Sequence, residues 1–236
     1  TATDEVRELL GIGAHADSMH VVPCGVDLDL FPGTPDGQRW WNRERGRILS
    51  LGRLVERKGV GTAIAALSLL DQDAELVIAG GPAESFEDDP EVRRLRAEAE
   101  RLGVADRVRL VGPVPRNDIP GLLSAADVVV CTPWYEPFGI VPLEAMACGR
   151  AVIGSAVGGL LDTVVDGVTG IHVPPRDPDR LAGVLRELLV DDERREALGR
   201  AGAERVARNY TWAKVAADTE QVYQRIAAPV TIGRER

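Results

Sequence analysis

The chain has 236 residues, 44% hydrophobic and 28% charged, enough for a sizeable core in one large domain or two small ones. That balance excludes collagen, coiled coil, low-complexity disorder and a disulfide-dense secreted scaffold. With 37 acidic against 28 basic residues the net charge is −9, so there is no chain-wide basic footprint for nucleic acid or an anionic membrane, and only local basic spots remain.

In chain order, a helical pattern over Asp4 to Leu10 leads to a short strand expected over Met19 to Val22. Pro23-Cys24-Gly25-Val26-Asp27 and a turn-rich stretch from Pro32 to Gly37 follow, and read as a hinge or linker. From Arg47 onward, short apolar runs alternate with helical patterns. The runs are Ile48 to Leu51, Leu76 to Ala79, Val108 to Val111, Val128 to Cys131, Ala151 to Gly154 and Gly170 to Val173. They are β-branched in character and bounded by Gly or Pro, as buried strands are. Apolarity without alternation points to strands covered on both faces, hence a parallel sheet. Between the runs, Val92, Leu95, Ala99 and Leu102 keep helical spacing after Asp89-Pro90, and Leu181, Val184, Leu185, Leu188 and Leu189 keep it after Asp177-Pro178. Helices over Glu193 to Arg208 and Thr211 to about Ala227 close the chain. The expected fold class is α/β: a doubly wound, Rossmann-like domain with its ligand site beyond the carboxyl ends of the strands.

Other signals are quickly weighed. Cys24, Cys131 and Cys148 lack metal-ligand spacing, and Cys131 reads as a buried free thiol. No apolar run reaches the roughly 18 residues of a membrane span, and the N-terminus shows no basic stretch followed by an apolar one. The default compartment is the cytoplasm.

The most informative string runs from Thr132 to Gly149 and contains Glu136-Pro137-Phe138-Gly139-Ile140-Val141-Pro142-Leu143-Glu144. It follows an expected strand and opens a helix. Pro137 disfavours helical geometry at Glu136, which therefore belongs to the loop. Pro142 is tolerated in a first helical turn, which leaves the amides of Phe138, Gly139, Ile140 and Val141 free at a helix N-terminus. Such amides suit anions and sugar hydroxyls. Glu144 falls one turn in, where a carboxylate can accept from two vicinal hydroxyls such as those of a ribose. A bare pair of glutamates at this spacing is ordinarily solvated surface; the surrounding string is what changes that reading.

The second string, Gly52-Arg53-Leu54-Val55-Glu56-Arg57-Lys58-Gly59, lies between a strand and a helix. Arg53 as a planar fork and Lys58 as a compact charge suit a diphosphate, whereas the bland alternative is an exposed charged turn.

Together these strings resemble the C-terminal half of retaining, GT-B-fold nucleotide-sugar glycosyltransferases, glycosyltransferase family 4. Glu136 through Glu144 matches the family's E-x7-E motif, and Gly52-Arg53 with Lys58-Gly59 matches its diphosphate loop. Val157-Gly158-Gly159, Asp166-Gly167 and Gly170 through Pro175 match the segments that follow. The resemblance implies transfer of a sugar from a nucleotide-diphosphate-sugar donor to a hydroxyl acceptor with retention. It puts Arg53 and Lys58 on the diphosphate, and Glu136 with the Phe138, Gly139 and Ile140 amides on the sugar. Glu144 falls on the ribose, and the backbone of Gly112, Pro113 and Val114 near the base. No cofactor and no metal are expected.

On the same footing, residues 1–45 would be the end of an N-terminal domain and a hinge, 46–208 the donor-binding domain, and 209–236 a crossover helix and tail. The chain alone is then expected to bind donor but transfer little or nothing. Its partners would be the donor and the absent N-terminal acceptor domain, with no nucleic acid. Peripheral membrane association through the absent domain, and a dimer through the C-terminal helix, stay open. That helix carries Trp212, Val215, Ala216, Thr219, Val222 and Tyr223 on one face, which must repack locally or meet another chain. Cys24, His172 and Arg176 depart from the family's usual residues and read as tolerated variation. Asp27-Leu28-Asp29 spells a metal-holding D-x-D, and Gly11-Ile12-Gly13 half a dinucleotide fingerprint, both in the wrong context. A non-catalytic nucleotide-sugar-binding subunit, another GT-B enzyme such as an epimerase or phosphorylase, and a dinucleotide-binding oxidoreductase domain are the alternatives.

Overall fold

The computed structural model describes residues 2–31, 39–41, 46–71 and 73–227. Six strands, β1 (Gly46–Leu51), β2 (Ala74–Ala79), β3 (Val108–Gly112), β4 (Val128–Cys131), β5 (Ala151–Ser155) and β6 (Ile171–Val173), form one sheet. Every pairing is parallel, in the order β3-β2-β1-β4-β5-β6. The period of two along each strand sorts its apolar residues between two core layers. Ile48, Leu76, Ile78, Val128 and Ile153 face a layer shared with α2 (Val60–Ser68), α3 (Pro90–Arg101) and α7 (Pro178–Val190). Leu49, Val77, Val129 and Val152 face the other, shared with α4 (Ile119–Ser124), α5 (Ile140–Ala147) and α8 (Asp192–Asn209), and a short α6 (Leu160–Thr163) follows β5. Covered on both sides, β2 is buried at every position.

Local chemistry starts the helices where the sequence signals it. The Asp89 carboxylate accepts from the Glu91 and Val92 amides and Pro90 opens the first turn of α3. Asp177 caps α7 in the same way, accepting from the Arg180 amide.

The first segment departs from expectation. After α1 (Thr3–Gly11), residues Met19 to Val22 are not a strand. The sheet ends at β3 and β6, and neither edge takes this segment as a partner. An apolar run without a ladder has no hydrogen bonds to hold it as a strand. Val26, within the stretch read as a hinge, and Phe31 and Trp41 beside it are buried in the second core layer. The Val26 amide donates to the Tyr210 carbonyl at 2.7 Å, which ties this segment to the start of α9 (Trp212–Ala227). The turn-rich residues Pro32 to Gly37 lie outside the described residues.

The apolar side chains of α9 do not repack locally. The helix buries no residue, and Trp212, Tyr223 and Ile226 are 59%, 67% and 74% exposed. No helix among the described residues is long and apolar enough to cross a membrane.

The strand order reverses direction between β1 and β4, so the chain leaves the carboxyl ends of these neighbours toward opposite sides. Open α/β sheets bind ligands in the crevice formed at such a switch point. The loops that flank it are residues 52–59 after β1 and 132–139 after β4.

Candidate functional site

These two loops are fastened edge to edge. The Thr132 hydroxyl donates to the Gly59 carbonyl at 2.9 Å and the Trp134 amide to the Arg57 carbonyl at 2.8 Å. The Arg57 guanidinium donates to the Tyr135 carbonyl at 3.2 Å, and the Lys58 ammonium forms an ion pair with Glu136. Gly59 makes the close approach possible. Its φ is +67°, and a Cβ there would lie 1.9 Å from the Thr132 carbonyl oxygen.

A cleft opens between the loops, lined by Gly52, Arg53, Lys58, Glu136, Gly139, Ile140 and Val141 among others. Arg53 is exposed, whereas the Lys58 and Glu136 side chains are only 24% and 15% exposed. Gly139, at φ +91°, turns the chain into α5, so the cleft meets the first-turn amides of a helix. The Glu136 carbonyl accepts from the Gly159 amide at 2.8 Å, which brings the Val157-Gly158-Gly159 string against the back of the loop. Phe138 turns its ring into the core, edge-on to Tyr210 at 6.4 Å between centroids. Its side chain is an anchor, and only its backbone is left to serve the cleft.

Glu144 does not line that cleft. It is buried one turn into α5, where its carboxylate accepts from Arg116 at 2.6 Å. Burial pushes its pKa above the ordinary carboxylate value, and the Arg116 guanidinium pulls it part of the way back. Gly112, Pro113 and Val114 also lie outside the cleft, at the end of β3, and lead into the short helical turn that carries Arg116. Arg116 additionally sits 5.0 Å over the Phe31 ring, joining the β3–α4 loop, the first segment and α5. Sequence reasoning missed this arginine. No motif marks it, and the one usable signal is its position just after the carboxyl end of a strand.

The remaining singled-out residues have local roles. The Asp27 carboxylate accepts from the Asp29 amide at 3.1 Å within the first segment, remote in sequence from the cleft loops. His172 is on β6, with Nε2 3.3 Å from the Leu160 carbonyl. The Cys131 thiol lines the cleft, and burial, reinforced by Glu136, pushes its pKa up to about 12, which keeps it a neutral thiol at pH 7.

Across residues 38–205 the chain matches the family model of glycosyl transferases group 1. The chain belongs to this family. A D-inositol 3-phosphate glycosyltransferase of Xylanimonas cellulosilytica is 39% identical over 231 residues, covering 93% of this chain and 54% of that protein. An alpha-maltose-1-phosphate synthase of Mycolicibacterium smegmatis is 35% identical over 230 residues, covering 90% and 58%. Among solved structures, sucrose-phosphate synthase from Thermosynechococcus elongatus superposes with a TM-score of 0.87 at 36% identity, covering 96% of this chain and 57% of that one. This group 1 glycosyltransferase chain therefore spans about half the length of the relatives it matches, and its fold is that of a Rossmann-like GT-B domain.

Proposed function

We propose that this chain is the donor-binding part of a retaining, family 4 glycosyltransferase, which moves a sugar from a nucleotide diphosphate to an acceptor hydroxyl. One observation carries the reading: the cation-bearing loop after β1 and the glutamate-bearing loop after β4 meet in one cleft at the switch point, through Lys58 and Glu136.

Arg53 and Lys58 hold the diphosphate, helped by the first-turn amides of α5. Glu136 and the amides of Phe138, Gly139 and Ile140 hold the sugar. Glu144 accepts from the ribose hydroxyls where the nucleoside extends beyond the cleft toward the Arg116 pair. In the reaction the acceptor oxygen bonds to the anomeric carbon as the bond from that carbon to the diphosphate oxygen breaks on the same face. The acceptor proton passes to the leaving diphosphate, whose charge Arg53, Lys58 and the helix amides stabilise. The relatives' names each include a phosphorylated sugar or polyol, which supports a phosphorylated acceptor for the whole protein. Without acceptor-binding surface beyond this chain, it binds donor and transfers little.

Calorimetric titration with nucleoside diphosphates tests the reading. Lys58→Ala removes a charge-assisted contact worth about 1.5–3 kcal/mol, so affinity falls about 10- to 150-fold. Unchanged affinity rejects the diphosphate role. Glu144→Gln weakens binding of the ribonucleotide, while a nucleotide without ribose hydroxyls binds both proteins alike.

A further inference from the structure

The loop between β6 and α7 holds an unusual residue. Arg176 has φ +59°, one of two non-glycine residues among those described in the left-handed region. An L side chain rarely adopts that backbone, and it persists only where the surroundings hold it there. What holds it is visible: its guanidinium carbon lies 3.7 Å from the centroid of the Trp134 ring, face on.

Trp134 is at the centre of the fastening between the two cleft loops. Its amide donates to the Arg57 carbonyl, and the contacts of Thr132 with Gly59 and of Glu136 with Lys58 lie on either side. Its indole N–H is buried and makes no hydrogen bond among the described residues, so ring orientation rests on packing and on the cation above its face. The residue after Arg176, Asp177, caps α7, and α7 packs on α2, the helix that begins directly after Gly59. The arginine thus precedes a helix that packs on the one following the diphosphate loop, and it reaches across to the loop that carries Glu136. It does not line the cleft.

We propose that Arg176 is a positioning residue of the donor site: its guanidinium, stacked on Trp134, fixes the Glu136 loop against the Lys58 loop at the spacing the donor needs. The proposal rests on the donor-site reading above. A merely structural role would make itself felt in stability. Here relief of the strained backbone offsets loss of the stack, so the effect falls on binding.

The experiment measures melting temperature and calorimetric affinity in parallel for wild type, Arg176→Gly, Arg176→Asn, Arg176→Lys and Lys58→Ala. The probe is whichever of UDP, GDP and ADP the wild type binds most tightly. Glycine and asparagine both accept a left-handed backbone. Their variants are expected to melt within about 2 °C of wild type. Affinity is expected to fall about 3- to 10-fold for both. Arg176→Lys keeps a cation without the planar face and should recover part of the loss. Trp134→Leu combined with Arg176→Gly should lose no more than Trp134→Leu alone, since the two act through one contact. If the Gly and Asn variants bind like wild type while Lys58→Ala binds weakly, the positioning role is overturned and the donor site stands. If Lys58→Ala also binds like wild type, the donor-site reading fails with it. A loss in the Arg176 variants that adds fully to that of Trp134→Leu also overturns the proposal.

Discussion

Glu144 is a buried carboxyl whose position works against stability. Its side chain is 5% exposed and has Arg116 as its ion-pair partner, yet burial wins and its pKa is raised from 4.5. A carboxyl with a raised folded-state pKa holds its proton longer in the native than in the unfolded chain. Stability therefore falls as pH rises from about 4.5 through the raised value. Below that window the group is neutral in both states and contributes no penalty. Glu144→Gln should consequently raise the melting temperature at pH 7, with the gain shrinking as pH falls through the raised value and gone below about 4.5. Arg116 is half exposed, so water can take over its side of the lost pair. Thermal melts of both proteins from pH 4 to 8 check this; a variant less stable than wild type at pH 7 contradicts it.

At the scale of elements, the same kind of substitution should separate architecture from site. Asp89→Ala removes two hydrogen bonds from the start of α3 and no side chain that lines the cleft. It should destabilise the domain by about 1 kcal/mol and leave nucleotide affinity unchanged. Gly59→Ala forces a Cβ into the Thr132 carbonyl at 1.9 Å and occupies a left-handed backbone. It should destabilise by at least about 1–3 kcal/mol and also weaken nucleotide binding, because the two cleft loops must move apart. Denaturant unfolding paired with titration distinguishes the two outcomes.

The contrast between these elements also explains what could be read in the sequence. The six strands were legible because a strand buried on both faces must be apolar throughout, and the helix starts because Asp-Pro pairs write their own cap. Pro137 likewise kept Glu136 in the loop. Met19 to Val22 had the composition of a strand and lacked a partner, which is a property of the sheet and not of the segment. The Arg116–Glu144 pair joins residues 28 apart across a strand order that no local pattern encodes. The left-handed Arg176 was equally hidden, since nothing in Pro174-Pro175-Arg176-Asp177 distinguishes a tolerated substitution from a stacked one.

Across the whole molecule, the net charge of −9 and the site are reconciled by topology. Parallel strands aim every β–α loop to one end of the sheet, and the reversal at β1 and β4 opens the crevice where Arg53 and Lys58 stand. A local pair of cations at that place can hold an anion that the molecule as a whole would repel, provided phosphate contacts outweigh long-range repulsion screened beyond about 8 Å at physiological salt. Binding confined to the folded state then stabilises the chain by mass action. At a hundredfold excess over Kd the gain is about 2.7 kcal/mol, and for a chain of this size each kcal/mol raises the melting temperature by about 2–4 °C. A saturating nucleoside diphosphate should therefore raise it by about 5–11 °C, with the shift reduced at high salt. With Arg53 and Lys58 supplying the positive charge, the same shift should survive addition of EDTA. A thermal-shift series over UDP, GDP and ADP, with and without EDTA, reads all of this at once. A shift abolished by the chelator would place a divalent cation between the diphosphate and the protein, and would remove Arg53 and Lys58 as sufficient partners for it.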